Sequence, residues 1–169
     1  NHIKPDWSFD RQVDALNNLN DLIEIQIMIR DSDNCGTTPD CGNEADLTAG
    51  TADRALNLVV DLSNCVANLG AQVTGSVTGN CNQTIFSAGA TGSGTFNTAE
   101  IRFRIEVGLP EITDTTPFAV RVFIEEVQAT NNFDGDPFFG DLADFYAVVT
   151  INGEQFTTGA ISNNNHIAP

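Results

Sequence analysis

Five carboxylates fall within sixteen residues in the run Asp31 to Asp46, DSDNCGTTPDCGNEAD: Asp31, Asp33, Asp40, Glu44 and Asp46. Four more, Asp134, Asp136, Asp141 and Asp144, fall in Asn131 to Tyr146, NNFDGDPFFGDLADFY. The chemistry open to such sets is to hold a hard cation. Calcium takes about 6–8 oxygens in loose geometry from carboxylates and loop carbonyls, whereas magnesium demands a strict octahedron and keeps its waters. Side chains two apart in extended backbone project the same way, so Asp31 with Asp33, and Asp134 with Asp136, are each expected to share an ion. All nine acids are therefore candidate calcium ligands, with solvated turn residues as the competing use. The EF-hand pattern is met only at Asp31, Asp33 and Gly36. Cys35 and Gly42 stand where that loop needs ligands, and no helical pattern flanks it.

Catalytic sets do not emerge. Ser87, Ser93 and Ser162 lack a G-x-S-x-G context. Glu100 and Glu106 share one strand, which gives no opposed pair for glycoside hydrolysis. The two histidines, His2 and His166, lie at opposite ends of the chain and neither adjoins a nucleophile. No enzymatic activity is expected.

The four cysteines give no CxxC spacing, and with distant histidines a four-ligand zinc site has no support. Sequential pairing, Cys35 with Cys41 and Cys65 with Cys81, is the simplest of the three connectivities. Closing the longer loop contributes about 3 kcal/mol in the chain-entropy model. Disulfides imply an oxidising compartment, so a secreted, cell-surface location is expected. The sequence has no leader pattern and no apolar run of membrane-spanning length. It therefore reads as a mature product or as a piece of a longer one. In a secreted chain the sequon Asn82-Gln83-Thr84 becomes usable for glycosylation.

With 23 acidic and 7 basic residues the formal net charge is −16. This excludes nucleic acid as a partner, since phosphate binding needs a Lys/Arg footprint, and it disfavours an anionic membrane surface. Self-repulsion on this scale destabilises a compact state unless counter-ions sit among the acids, a second reason to expect calcium. The 169 residues suit one domain with a proper core.

The elements that must carry the acidic runs are strands. Leu22 to Arg30 sets Ile23, Ile25, Ile27 and Ile29 against Glu24, Gln26, Met28 and Arg30 with a period of two. Ala55 to Leu62 follows, then weaker strands at Ala71 to Thr78 and Gln83 to Ala88, with Gly79, Asn80 and Cys81 as the break between them. Ala99 to Val107 puts Ile101, Phe103, Ile105 and Val107 on one face. Leu109 to Pro117 is a connection, and Phe118 to Val127 and Asp144 to Ile151 are strands. Asn152-Gly153 predicts a type I′ hairpin returning through Gln155 to Ile161. Asp10 to Asn20 is a poor candidate for a short helix, being rich in Asn and Asp. The expectation is all-β: an antiparallel β-sandwich of about eight strands, C2-like or jelly-roll-like. Residues 1–10 are an extended segment or linker strand, 11–161 the sandwich, and 162–169 a second extended segment.

Two internal echoes stand out. Both acidic runs follow a long alternating strand, carry D-x-D, and close on similar residues, Gly42-Asn43-Glu44-Ala45-Asp46 and Gly140-Asp141-Leu142-Ala143-Asp144. The chain also opens NHIKP and closes NHIAP, as a tandem array or a subunit with interchangeable terminal strands would.

The two acidic loops and their flanking strands resemble a C2 domain. In that family aspartates from loops at one end of an eight-stranded sandwich hold calcium, and one loop runs into an Asp-x-Tyr strand start. Asp144-Phe145-Tyr146 matches that start, and Asp31 and Asp33 match the first loop. The family's lipid binding does not carry over, because the basic patch is missing.

These features lead to two expectations. One is a structural subunit or repeat module of an extracellular fibre or surface assembly, stiffened by calcium and disulfides, with terminal strands contacting identical copies or adjacent repeats. The alternative is a calcium-dependent adhesion or carbohydrate-binding module that takes a glycan or surface ligand. Trp7, Phe138, Phe139 and Tyr146 would then form a stacking platform, although core or linker packing is the commoner use of such rings.

Overall fold

A computed structural model describes residues 2–13, 22–32, 44–45, 47, 54–62, 66–69, 78–87, 98–108, 118–129 and 144–161. Eleven strands lie among them: β1 (His2–Ile3), β2 (Trp7–Val13), β3 (Leu22–Asp31), β4 (Leu56–Asp61), β5 (Val66–Leu69), β6 (Thr78–Asn80), β7 (Thr84–Ser87), β8 (Ala99–Gly108), β9 (Phe118–Ala129), β10 (Phe145–Ile151) and β11 (Glu154–Thr157). One sheet runs β1-β9-β8-β7, with β2 following β1 along the same edge of β9; the other runs β11-β10-β3-β4-β5-β6. Every pairing is antiparallel.

Period-two patterning makes this a sandwich. Ile23, Ile25, Ile27 and Ile29 of β3, Leu56, Leu58 and Val60 of β4, and Phe145, Ala147, Val149 and Ile151 of β10 face one core. From the other sheet Ile101, Phe103 and Ile105 of β8, and Val120, Val122, Ile124 and Val127 of β9, join the same core. β-Branched side chains suit these half-buried pleats, and each fully buried Ile or Phe contributes about 1.5–3 kcal/mol relative to exposure. Two strands run to less obvious sequence. β5 and β6 are short and are held by the ladder that extends outward from β4. Thr78 is strand as expected, and Gly79 and Asn80 belong to the same strand and not to the expected break, which shifts to Cys81–Gln83; residues 71–77 lie outside the described residues.

The N-terminal residues are sheet as well. β2 pairs Trp7–Val13 with β9 and buries Phe9 and Val13, so Asp10–Val13 are strand and not helix. β1 pairs His2 with Gln128 and Ile3 with Val127. Lys4, Pro5 and Asp6 separate the two strands, and Asp6 has φ 51°. Opposite this break the β8–β9 register slips: Arg102 faces Glu126 but Phe103 faces Ile124, leaving Glu125 as the extra residue of a bulge. The bulge lets Ile124 and Val127, three apart, both reach the core.

Register fixes two ends of the sandwich. At one end β3 and β9 finish while β8 and β10 begin, and the buried Ser87 hydroxyl at the close of β7 donates to the Leu47 carbonyl across the sheets. At the other, Arg11 of β2 pairs with Glu154 of β11. One flank is crossed by the β6–β7 turn. The opposite flank carries β1, β2 and β11, where the Phe9 and Phe156 rings meet with centroids 6.4 Å apart.

The Asn152-Gly153 hairpin has φ 47° and 81° at its two central residues, the left-handed pair that a type I′ turn requires. Two variants probe this frame in urea titrations. Phe103→Ala should lower the unfolding free energy by about 3–5 kcal/mol. Gly153→Ala should lower it by about 1–2 kcal/mol through the left-handed backbone alone, since no atom lies within 4 Å of an added Cβ.

Candidate functional site

The acidic runs are rooted on the two sides of one strand end. β3 ends at Asp31, whose partner across the ladder is Phe145 of β10. The Asp144 backbone N–H donates to Asp31 Oδ1 at 2.8 Å, and the Ser32 N–H donates to the Asp144 carbonyl at 2.9 Å. On the other side Glu44 forms a bridge with Arg30, and the Ala45 N–H donates to the Ile29 carbonyl at 2.8 Å. Of the two similar closing sequences, Glu44 and Ala45 thus meet Arg30 and Ile29, and Asp144 meets Asp31 and Ser32. Ser32 and Asp144, which adjoin the stretches 33–43 and 130–143, are neighbours at one end of the sandwich.

Asp31 is only 1% exposed. Its burial follows from phase: it continues the inward series Ile23, Ile25, Ile27, Ile29. Glu44 is occupied differently. Its carboxylate pairs with Arg30 at 2.6 Å, half-buried on the outer face of the sheet beside Tyr146. Burial works against the Arg30 charge, but hydrogen bonds to Glu44 and Tyr146 and the nearby Glu44 carboxylate outweigh it, so the guanidinium pKa is raised. Arg54 adds a bond from its guanidinium to the Glu44 carbonyl at 3.2 Å, and its own carbonyl accepts from the Leu47 N–H. The segment after the first acidic run is therefore anchored on both sides.

Of the nine expected ligands, three lie among the described residues. Asp31 and Asp144 are brought side by side, and Glu44 stands across β3 in its ion pair. Asp33, Asp40, Asp46, Asp134, Asp136 and Asp141 lie outside the described residues. Among the described residues no three acids, histidines or cysteines form a group that could hold a metal ion. Asp31 and Asp144 fit the edge of an oxygen-rich site but cannot complete one; further oxygens would have to come from 33–43, Asp46 and 130–143.

Other singled-out residues fall as follows. Cys81 is 7% exposed and disulfide-bonded; Cys35, Cys41 and Cys65 lie outside the described residues. Asn82 and Gln83 are exposed on the turn between β6 and β7, with Asn82 at φ 65°, and Thr84, also exposed, opens β7. Trp7 packs against the core, and Tyr146 is 9% exposed, so neither presents a free ring; Phe138 and Phe139 lie outside the described residues.

The sequence reading missed the outer face of the first sheet. Three of the seven basic residues stand there as an alternating row with aromatic rings. Arg102 lies 4.7 Å from the Phe86 ring centroid, and Arg104 and Arg121 lie 4.6 and 5.6 Å from that of Phe123. Each is also paired with an acid: Arg102 with Glu126 at 2.8 Å, Arg104 with Glu125 at 3.0 Å and Glu106 at 3.1 Å, and Arg121 with Asp10. The Asp10 hydrogen bond raises the Arg121 pKa. The outward phase of Arg102, Arg104 and Arg121 was the available signal.

Comparison with known proteins gives no relatives: no family model, no curated protein and no solved structure matches the chain.

Asp31→Ala tests the junction apart from any ion. In chelator it should lower the unfolding free energy by about 1–3 kcal/mol, because the Asp144 N–H loses its acceptor. An unchanged urea midpoint would show that the bond contributes nothing to stability.

Proposed function

We propose that the chain is a structural module of an extracellular fibre or surface assembly, stiffened by calcium and disulfides and joined to identical copies or adjacent repeats through its terminal strands. The observation that carries this reading is the convergence of both acidic stems on the end of β3, with Asp31 and Asp144 in contact. Carboxylates gathered on the loops that adjoin these stems would repel one another, and a divalent cation among them would relieve that repulsion. Asp33, Asp40, Asp46, Asp134, Asp136 and Asp141 would supply the oxygens that Asp31 and Asp144 lack. The C2 likeness supports the same placement, since β10 starts at Phe145, within Asp144-Phe145-Tyr146.

An oxidising, extracellular setting is supported by the disulfide-bonded Cys81, for which Cys65 is the proposed partner, with Cys35 joined to Cys41. Exposure of the sequon at Asn82 supports glycosylation there.

The adhesion reading, in which the module takes a glycan, is favoured by one feature. A shallow cavity of about 170 Å³ on the outer face of the first sheet is lined by Phe86, Glu100, Arg102, Glu126 and Gln128. Phe86 is 45% exposed, and a ring beside fixed polar groups is suited to a sugar. A glycan-array signal lost in Phe86→Ala would select this reading.

Electron microscopy of the protein with calcium and with chelator tests the first reading. Filaments in calcium alone are expected; dispersed particles in both samples would overturn it. The double variant Asp134→Asn, Asp136→Asn should lower Tm in calcium and leave it unchanged in chelator, because an ion bound only by the folded state adds stability by mass action. Equal shifts in both conditions would remove calcium from that loop.

A further inference from the structure

The edge of β9 beside Val127 and Gln128 is a discrete strand site. Its occupant, β1, makes a ladder of only two residues and is cut off from β2 by Lys4-Pro5-Asp6, with Asp6 in the left-handed region. What seats β1 is Ile3, which is 7% exposed and part of the core. A strand held by two ladder positions and one buried side chain opens at far lower cost than the sandwich as a whole. The bulge at Glu125 separates this site from the β2 ladder, so β1 can leave without disturbing Trp7–Val13.

The chain carries a second copy of the occupant. Asn165-His166-Ile167-Ala168-Pro169 repeats Asn1-His2-Ile3-Lys4-Pro5 except at Lys4. The backbone donors and acceptors, the isoleucine and the terminating proline are the same. The replaced Lys4 is exposed. The route to this tail also starts close by. Ile161 bridges to Phe145 at the acidic end, on the flank that carries β1. Asn165 lies four residues further on, at most about 14 Å of extended chain.

We propose that residues 165–168 of one copy fill the β1 site of a second copy, pairing His166 with Gln128 and Ile167 with Val127. This rests on the assembly reading above and names its contact. Residues 2–3 fill this edge in every copy, so the tail of one molecule competes with β1 of a second and enters when that short ladder opens. Exchange of equivalent strands between copies is a low-cost route to association, and addition to a sheet edge supplies backbone bonds while alternate side chains fill pockets. The contact is head-to-tail, so it propagates.

A photo-cross-linking residue at position 128 tests the pairing, since Gln128 is exposed. Heavy-isotope and unlabelled protein are mixed in calcium, irradiated and digested. Heavy-to-light cross-links from position 128 to residues 165–168 are expected. A synthetic peptide of residues 163–169 should stop filament growth, and the same peptide carrying Ile167→Asp should not. In the full chain Ile167→Asp should abolish filaments without changing monomer Tm. Filaments that persist in Ile167→Asp, or that cross-link position 128 only to residues 1–4 of the same chain, overturn this contact while leaving assembly intact. A lowered monomer Tm would place the tail on its own sandwich and also overturn it. Wild-type protein that remains monomeric in calcium overturns the assembly reading and this contact together.

Discussion

A carboxylate at the margin of a hydrophobic core is tolerable only where donors hold its oxygens. Asp31 meets that condition at Oδ1 through the backbone of Asp144, and this bond ties the ends of two distant acidic stretches to one place. Without it, β3 would present a desolvated charge at the top of the core and β10 would start unanchored. The Ser32 bond to the Asp144 carbonyl completes a reciprocal clasp, and on the opposite side of β3 the Arg30–Glu44 pair and the Ala45–Ile29 bond do the equivalent for the first stretch. The described stems of both acidic stretches are thereby fixed to one end of β3.

Much of this frame is legible in the residues. The isoleucine series of β3, the Ile101-Phe103-Ile105 series of β8 and the Asn152-Gly153 turn each state their structure through one local rule, and the sandwich follows from strands with a single apolar face. The same rule, carried one residue further, places Asp31 inward. Reading it with Asp33 as a free ligand treated the strand as ended at Arg30. β5 and β6 could not be read locally, because VANL and TGN carry no alternation and exist as strands through the partners beside them. The bulge was present as a slip from Val120-Val122-Ile124 to Val127. Such a slip is visible only when the series is followed to its end.

The outer face of the first sheet shows a different balance. Its arginines lie over aromatic rings and beside acids. Exposed pairs of this kind contribute little to stability each. Three guanidinium groups there meet four carboxylates, Asp10, Glu106, Glu125 and Glu126, so most of the charge on this face is balanced locally. The stacked Phe86 and Phe123 rings keep the guanidinium groups flat against the sheet.

The turn between β6 and β7 lies diagonally across the molecule from the corner where β1 and Ile161 sit, on the other flank and towards the other end. A branched sugar chain on Asn82 would point into solvent there, and its steric shadow would fall on the covalently crossed flank. Bulk at that turn would therefore coat that corner without crowding the β9 edge on which β1 lies.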